Sequence, residues 1–244
     1  MRGRGSTVQT LERSRFVLIG GIVVLVLLAW AYLACGGEMT MVADLPMVVV
    51  MWWVMMVAMM LPSAAPVILL YAQVRSSRDD VAGIGQPWLF LSGYLAVWLG
   101  FSIAAAAAQI ELVRSEWIGM MDLRVSSPEL IGAAIIAAGA YQLSPWKNAC
   151  LRSCRSPAQF LTRHWRPGAS GALRLGLLHG AICVGCCWLL MILLFVGGVM
   201  NLAWVAMLAI LVAIEKLASR GVLAARLTGI AMLVAGGVVV FAGR

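Results

Sequence analysis

The sequence predicts an all-α, polytopic membrane helix bundle, and three observations predict it. Of its 244 residues, 63% are hydrophobic and only 11% are charged, where soluble domains carry roughly 45–50% and about 25%. Mean hydropathy is +0.97. Uncharged stretches long enough to cross about 30 Å of hydrocarbon recur along the chain. Such a chain cannot cover a soluble surface with polar groups, which excludes a soluble enzyme, a nucleic-acid-binding domain and a disordered tail. The net charge of +8 then marks basic residues at a cytoplasmic membrane face; no nucleic-acid partner is expected.

The spans follow in order. A cytoplasmic tail over residues 1–15 leads into a first span from Phe16 to Ala34. Its apolar run is longer than the 7–15 residues usual in a secretory signal. In Leu33-Ala34-Cys35-Gly36 the leucine sits one place too close to the cysteine for a lipoprotein site. A second span lies between Asp44 and Arg75, and a third between Asp80 and Glu111, most apolar from Trp88 onward. The fourth, from Leu130 to Leu143, is short, either a complete crossing or re-entrant. Between Arg174 and Glu215 run 40 uncharged residues, about 60 Å of helix. That is two crossings, with a hairpin at Gly197-Gly198 before Asn201. The last covers Leu227 to Ala242. The count is about seven, with the N-terminus cytoplasmic: fifteen Lys and Arg then fall in cytoplasmic segments and three in external ones, the asymmetry that sets orientation. Residues 16–244 form one transmembrane domain, whose main cytoplasmic feature is a basic loop at about 144–174.

Within this frame the soft side chains are unevenly distributed. Six of fifteen methionines fall in 14 residues: Met47, Met51, Met55, Met56, Met59 and Met60. Met47, Met51, Met55 and Met59 have i, i+4 spacing, a ladder along one helix face, with Met56 and Met60 in an adjacent row. Met39 and Met41 precede them on the external side. Thioethers are neutral, soft ligands suited to Cu(I); methionine is also an apolar gap filler in packed bundles. Pro62 and Pro66 follow at once. They interrupt the helical ladder and either bend the helix or open backbone toward a site.

A second group is His179, Cys183, Cys186 and Cys187. On a helix the first three fall within about 60° of one another and Cys187 about 40° further on. One imidazole and two or three thiols on one face form a soft-metal ligand set. The plain alternative is that the cysteines pack as small hydrophobes and the histidine bonds across helices. Measured along their helices, Met59, Met60 and the three cysteines reach the middle third of the membrane, so a shared site is allowed. In the basic loop, Cys150 and Cys154 are i, i+4, and Lys147, Arg152 and Arg155 are expected to lower their pKa. They are a secondary metal or redox pair, or ordinary loop cysteines. His164-Trp165-Arg166 reads as an interfacial anchor, and Glu215-Lys216 as a snorkelling pair at a cytoplasmic helix end. No nucleotide-binding P-loop, H-E-x-x-H pair or Cys-x-x-Cys-His haem site occurs in the sequence.

Several of these residues together carry a resemblance. Met55-Met56-Val57-Ala58-Met59-Met60-Leu61-Pro62-Ser63, Tyr141-Gln142-Leu143-Ser144-Pro145, Cys150 and Cys154 come first. His179-Gly180, Cys183-Val184-Gly185-Cys186-Cys187-Trp188, Gly198-Val199-Met200-Asn201 and Glu215-Lys216 complete the set. The chain resembles, over roughly residues 45 to 220, a bacterial family of unknown function described as predicted metal-binding integral membrane proteins. The resemblance implies metal binding in a bacterial inner membrane, without a metal or a reaction.

The combined expectation is a membrane protein that binds a soft transition metal, Cu(I), for transport, delivery or homeostasis. Met51, Met55, Met59 and Met60, with Met47 outermost, would bring the ion in; His179, Cys183, Cys186 and Cys187 would hold it. Cys150 and Cys154 would exchange it with the cytoplasm, where a donor or acceptor protein is the expected partner besides the lipid bilayer. Two alternatives stand beside this. One is a thiol–disulfide oxidoreductase using Cys183 and Cys186; the other is a non-catalytic subunit of a membrane complex.

Overall fold

A computed structural model describes residues 3–36, 44–78, 85–119 and 123–243. Met39 and Met41 lie outside the described residues. The described chain is all-α: α1 (Gly3–Gly36), α2 (Leu45–Arg78), α3 (Gly85–Arg114), α4 (Pro128–Leu143), α5 (Pro145–Arg155), α6 (Pro157–His164), α7 (Gly168–Ile192), a single turn α8 (Leu194–Gly197), α9 (Leu202–Leu217) and α10 (Gly221–Ala242). An isolated bridge between Ile118 and Val125 is the one piece of β pairing among the described residues.

Five stretches are long and apolar enough to cross a membrane: Arg15–Cys35, Leu45–Arg75, Gly85–Arg114, Gly168–Gly197 and Gly221–Ala242. The other two expected crossings, α4 and α9, have 16 residues each, about 24 Å at 1.5 Å per residue. Both are short because polar caps end them. Ser127 caps the start of α4, and Asn201 the start of α9, each through its side-chain oxygen. Gly198 takes φ 90° ahead of Asn201, so the expected hairpin falls where a left-handed backbone favours glycine.

The helices pack as a row, α1 on α2, α2 on α3 and α9, and α3 on α7, with α4 and α10 as a closely packed pair at one side. The outer members show their lipid faces. Leu18, Ile22 and Ala29 are the buried stripe of α1, while Val23, Val24, Leu27 and Leu28 point outward. Two close approaches depend on glycine. A Cβ on Gly176 in α7 would fall on the Phe90 carbonyl of α3. In the α4–α10 pair, Gly139 and Gly229 face each other's backbone in the same way. Small residues that let helix backbones touch are the usual packing device where water supplies no hydrophobic drive.

The α2 prolines do not break their helix: Leu45–Arg78 is helical throughout. Ser63 Oγ donates to the Met60 carbonyl at 2.8 Å, and Tyr94 of α3 donates to the same oxygen at 3.1 Å. These bonds fall on a carbonyl whose helical donor, Ala64 N–H, is intact; the carbonyls that the prolines deprive of a donor are those of Ala58 and Pro62.

Two helices, amphipathic and too short to cross, lie beside the spans: α5, which touches α4 and α9, and α6, which touches α2 and α5. Ser144 caps α5 through Lys147 N–H, and α5 packs chiefly on α7. Here the structure corrects a sequence expectation. Glu215 and Lys216 do not snorkel; they are 2% and 6% exposed. Glu215 receives Lys147 Nζ on one carboxylate oxygen at 2.6 Å and Gln142 Nε2 on the other at 2.6 Å. Arg155 donates to the Glu215 carbonyl at 2.9 Å and to the Ser219 carbonyl at 2.7 Å, holding the end of α9 where carbonyls lack helical partners. Because α5 rises under the short α9, this end is sealed by protein and the charges cannot reach water.

Candidate metal centre

The two soft clusters meet. Met60 of α2 and Cys187 of α7 bring Sδ and Sγ to 3.9 Å. Both are buried, as are Met51, Met55, Met56 and Met59. Met47 is not: it is 53% exposed, because α2 turns its first rung away from the bundle. The buried ladder therefore begins at Met51.

The i, i+4 rule places Cys183 and Cys187 in one row of α7, facing α2 and α9. Lys216 of α9 reaches Cys183. Its Nζ lies 2.9 Å from Cys183 Sγ, 3.4 Å from Ser63 Oγ and 3.9 Å from Met60 Sδ. An ammonium has three N–H donors, and here each has one acceptor. Tyr94 closes the fourth side, with its hydroxyl 3.2 Å from Cys183 Sγ. Cys187 donates to the Cys183 carbonyl one turn back at 2.9 Å.

Cys186 is about 100° around the helix from Cys187, on the side of α7 that meets α5. Its thiol bonds the Cys183 carbonyl at 3.2 Å and neighbours both the Cys154 thiol of α5 and the Cys187 thiol. Cys150 lies against Gly185, 3.4 Å from where a Cβ would stand, and the Tyr141 hydroxyl donates to the Gly185 carbonyl. The basic neighbours do not lower the α5 thiols as expected. Contact with Cys186 and burial push Cys154 well up, and burial pushes Cys150 up. Arg155 is committed to α9 carbonyls and Lys147 to Glu215. All six cysteines are free thiols.

His179 is surrounded by rings, those of Phe90, Tyr94 and Phe160, with centroids 6.1, 5.8 and 5.2 Å away. Its Nδ1 is buried with no hydrogen-bond partner. His164 packs on Phe160 and shares a 3.0 Å hydrogen bond with its carbonyl. Among the described residues, no three His, Cys, Asp or Glu side chains converge as a metal-holding group. What converges is mixed: two thiols, one thioether and one ammonium. Three sulfurs without a carboxylate suit a soft monovalent ion better than Zn²⁺, which takes four N, S or O ligands in closed sites.

Sequence reasoning missed Lys216, Ser63 and Tyr94. Lys216 carried a signal, since it follows the long uncharged run ending at Ile214 and belongs to the family motif. Tyr94, an aromatic in an apolar span, carried none.

Comparison with curated proteins found no match, and comparison with solved structures found none. One family model does match, over residues 49–239, which takes in all of α2 but its first turn, through most of α10, and so every residue of the centre just described. On that coverage the chain belongs to the copper chaperone family PpoB2.

Proposed function

We propose that this protein is a membrane-embedded Cu(I) carrier that takes the ion into its bundle and passes it on by ligand exchange. The observation that carries the reading is the 3.9 Å approach of Met60 Sδ to Cys187 Sγ beside Cys183, around one cation position. The family description supports copper as the cargo, and the all-sulfur donor set supports the cuprous state. Cys183, Cys187 and Met60 are the inner donors. Met51, Met55 and Met59 form the approach along α2, Cys186, Cys154 and Cys150 the exit toward the basic face, and His179 an accessory donor with Nδ1 free. The reading includes seven crossings with the N-terminus cytoplasmic, α4 and α9 being the short ones. The fifteen-to-three partition of basic residues supports that orientation.

Arrival of the ion displaces a proton from each thiol that becomes a ligand. Since thioethers are weaker donors than thiolates, the ion moves from methionines toward cysteines without any change of oxidation state. Protein purified anaerobically and loaded with Cu(I) is expected to retain copper after desalting, and Cys183→Ser/Cys187→Ser to lose it. Unchanged copper stoichiometry in that double variant refutes the site.

A second reading, thiol–disulfide exchange, draws on the contact between Cys154 and Cys186. It would use that pair instead of Cys183 with Cys186, whose thiols face different neighbours.

A further inference from the structure

The Lys216 ammonium is buried among atoms that bind copper better than they bind lysine. A buried cation is costly unless paired and hydrogen-bonded. Among the described residues no carboxylate lies within ion-pair distance of it, because the adjacent Glu215 is turned to Lys147. Its partners are Cys183 Sγ, Met60 Sδ and Ser63 Oγ. Two of these three are sulfurs assigned above as cargo ligands, and the third is hard and neutral. The ammonium therefore stands where a monovalent soft ion would stand, held by the same donors.

We infer that Lys216 is a built-in placeholder cation, occupying the inner site when copper is absent and displaced when it arrives. The inference rests on the copper-carrier reading. The exchange is one monocation for another. Cu(I) forms bonds to Cys183 and Met60 sulfur, the three hydrogen bonds of the ammonium break, and the ammonium withdraws on its flexible stem with its protons. No electron changes hands. The Cys183 thiol gives its proton to water as it becomes a ligand, and a second proton leaves if a further thiol such as Cys187 joins the ion. The arrangement keeps the empty site closed and its donors hydrogen-bonded, and it weakens copper binding by the work of displacing the lysine. Release is helped by the same amount, which is what a carrier needs and a storage site does not.

The test compares Cu(I) dissociation constants by competition with a chromophoric Cu(I) chelator, in wild type, Lys216→Leu and Ser63→Ala, all purified in detergent. Lys216→Leu removes the cation and supplies no donor. It is expected to tighten Cu(I) at least about tenfold, equivalent to about 1.4 kcal/mol, and to slow release to the chelator. Ser63→Ala removes one anchor of the ammonium and leaves the sulfurs in place, so it is expected to tighten Cu(I) by a smaller factor. It stands in if Lys216→Leu does not fold. Equal or weaker Cu(I) binding in the variant that folds overturns the placeholder. Wild type that takes up no Cu(I) overturns the carrier reading itself, a result distinct from wild type that binds and variants that fail to bind more tightly.

Discussion

The contact between Lys147 and Glu215 gives the sharpest stability prediction, because its two side chains are only 1% and 2% exposed and meet at 2.6 Å. At that separation the Coulomb attraction is about 6 kcal/mol for an effective dielectric of 20, most of it offset by the cost of removing both ions from water. Replacing Lys147 by Met keeps the methylene stem and removes the cation, leaving the carboxylate with Gln142 on one oxygen. Breaking a buried pair in this way costs about 3–5 kcal/mol. The retained Gln142 bond argues for the lower end, about 3 kcal/mol. For a chain of this length that is a fall in melting temperature of about 6–12 °C. Tryptophan fluorescence of detergent-solubilised protein during heating measures it, at one fixed scan rate because unfolding of such a protein need not reverse. Glu215→Gln should destabilise comparably, and the double variant Lys147→Met/Glu215→Gln should melt above either single one. A Lys147→Met protein melting within 2 °C or so of wild type, or a double variant equal to the sum of the singles, would refute the coupling.

Three further outcomes are expected. Met60→Leu conserves volume, so its stability should change by less than about 1.5 kcal/mol, while its Cu(I) affinity falls; unchanged affinity would return Met60 to a packing role. Gly176→Ala should be destabilised by about 1–3 kcal/mol, because the new methyl meets the Phe90 carbonyl. Gly100→Ala, with open space around it, should be neutral or gain up to about 1 kcal/mol from helix propensity. A melting comparison of the two checks the α3–α7 approach. Mild oxidation should link Cys154 to Cys186, seen as one disulfide-joined peptide pair by mass spectrometry and lost in Cys154→Ser; a dominant Cys183–Cys186 product would contradict the thiol directions described above.

Much of this was legible in the residues. Spacing alone put Met60 and Cys187 at one depth, and helical angles put Cys183 and Cys187 in one row, since both depend only on local geometry. The hairpin at Gly198 and Asn201 was legible for the same reason. What failed depended on neighbours. Glu215-Lys216 looks like an interfacial pair when the helix end is assumed to meet water, and only the rise of α5 beneath α9 makes it a buried one. His179 falls on the cysteine face by angle, yet α3 and α6 surround it with rings. Cys186 lies on the side of α7 that meets α5. The thiols of α5 were expected to be activated by nearby cations, but Lys147 and Arg155 are occupied elsewhere. Met47 belongs to the ladder by period and to the lipid face by position.

The end of α9 has one more consequence. Glu215 and Lys216 are consecutive, and their side chains serve separate clusters about 100° apart around one helix axis. A single inserted or deleted residue between Asn201 and Glu215 would rotate both by that angle and shift them by about 1.5 Å. The carboxylate would lose Lys147 and the ammonium would lose Cys183 in the same event. Compensation at one position could not repair the other. Length changes within α9 should therefore cost both clusters at once, whichever of the two they are selected to preserve.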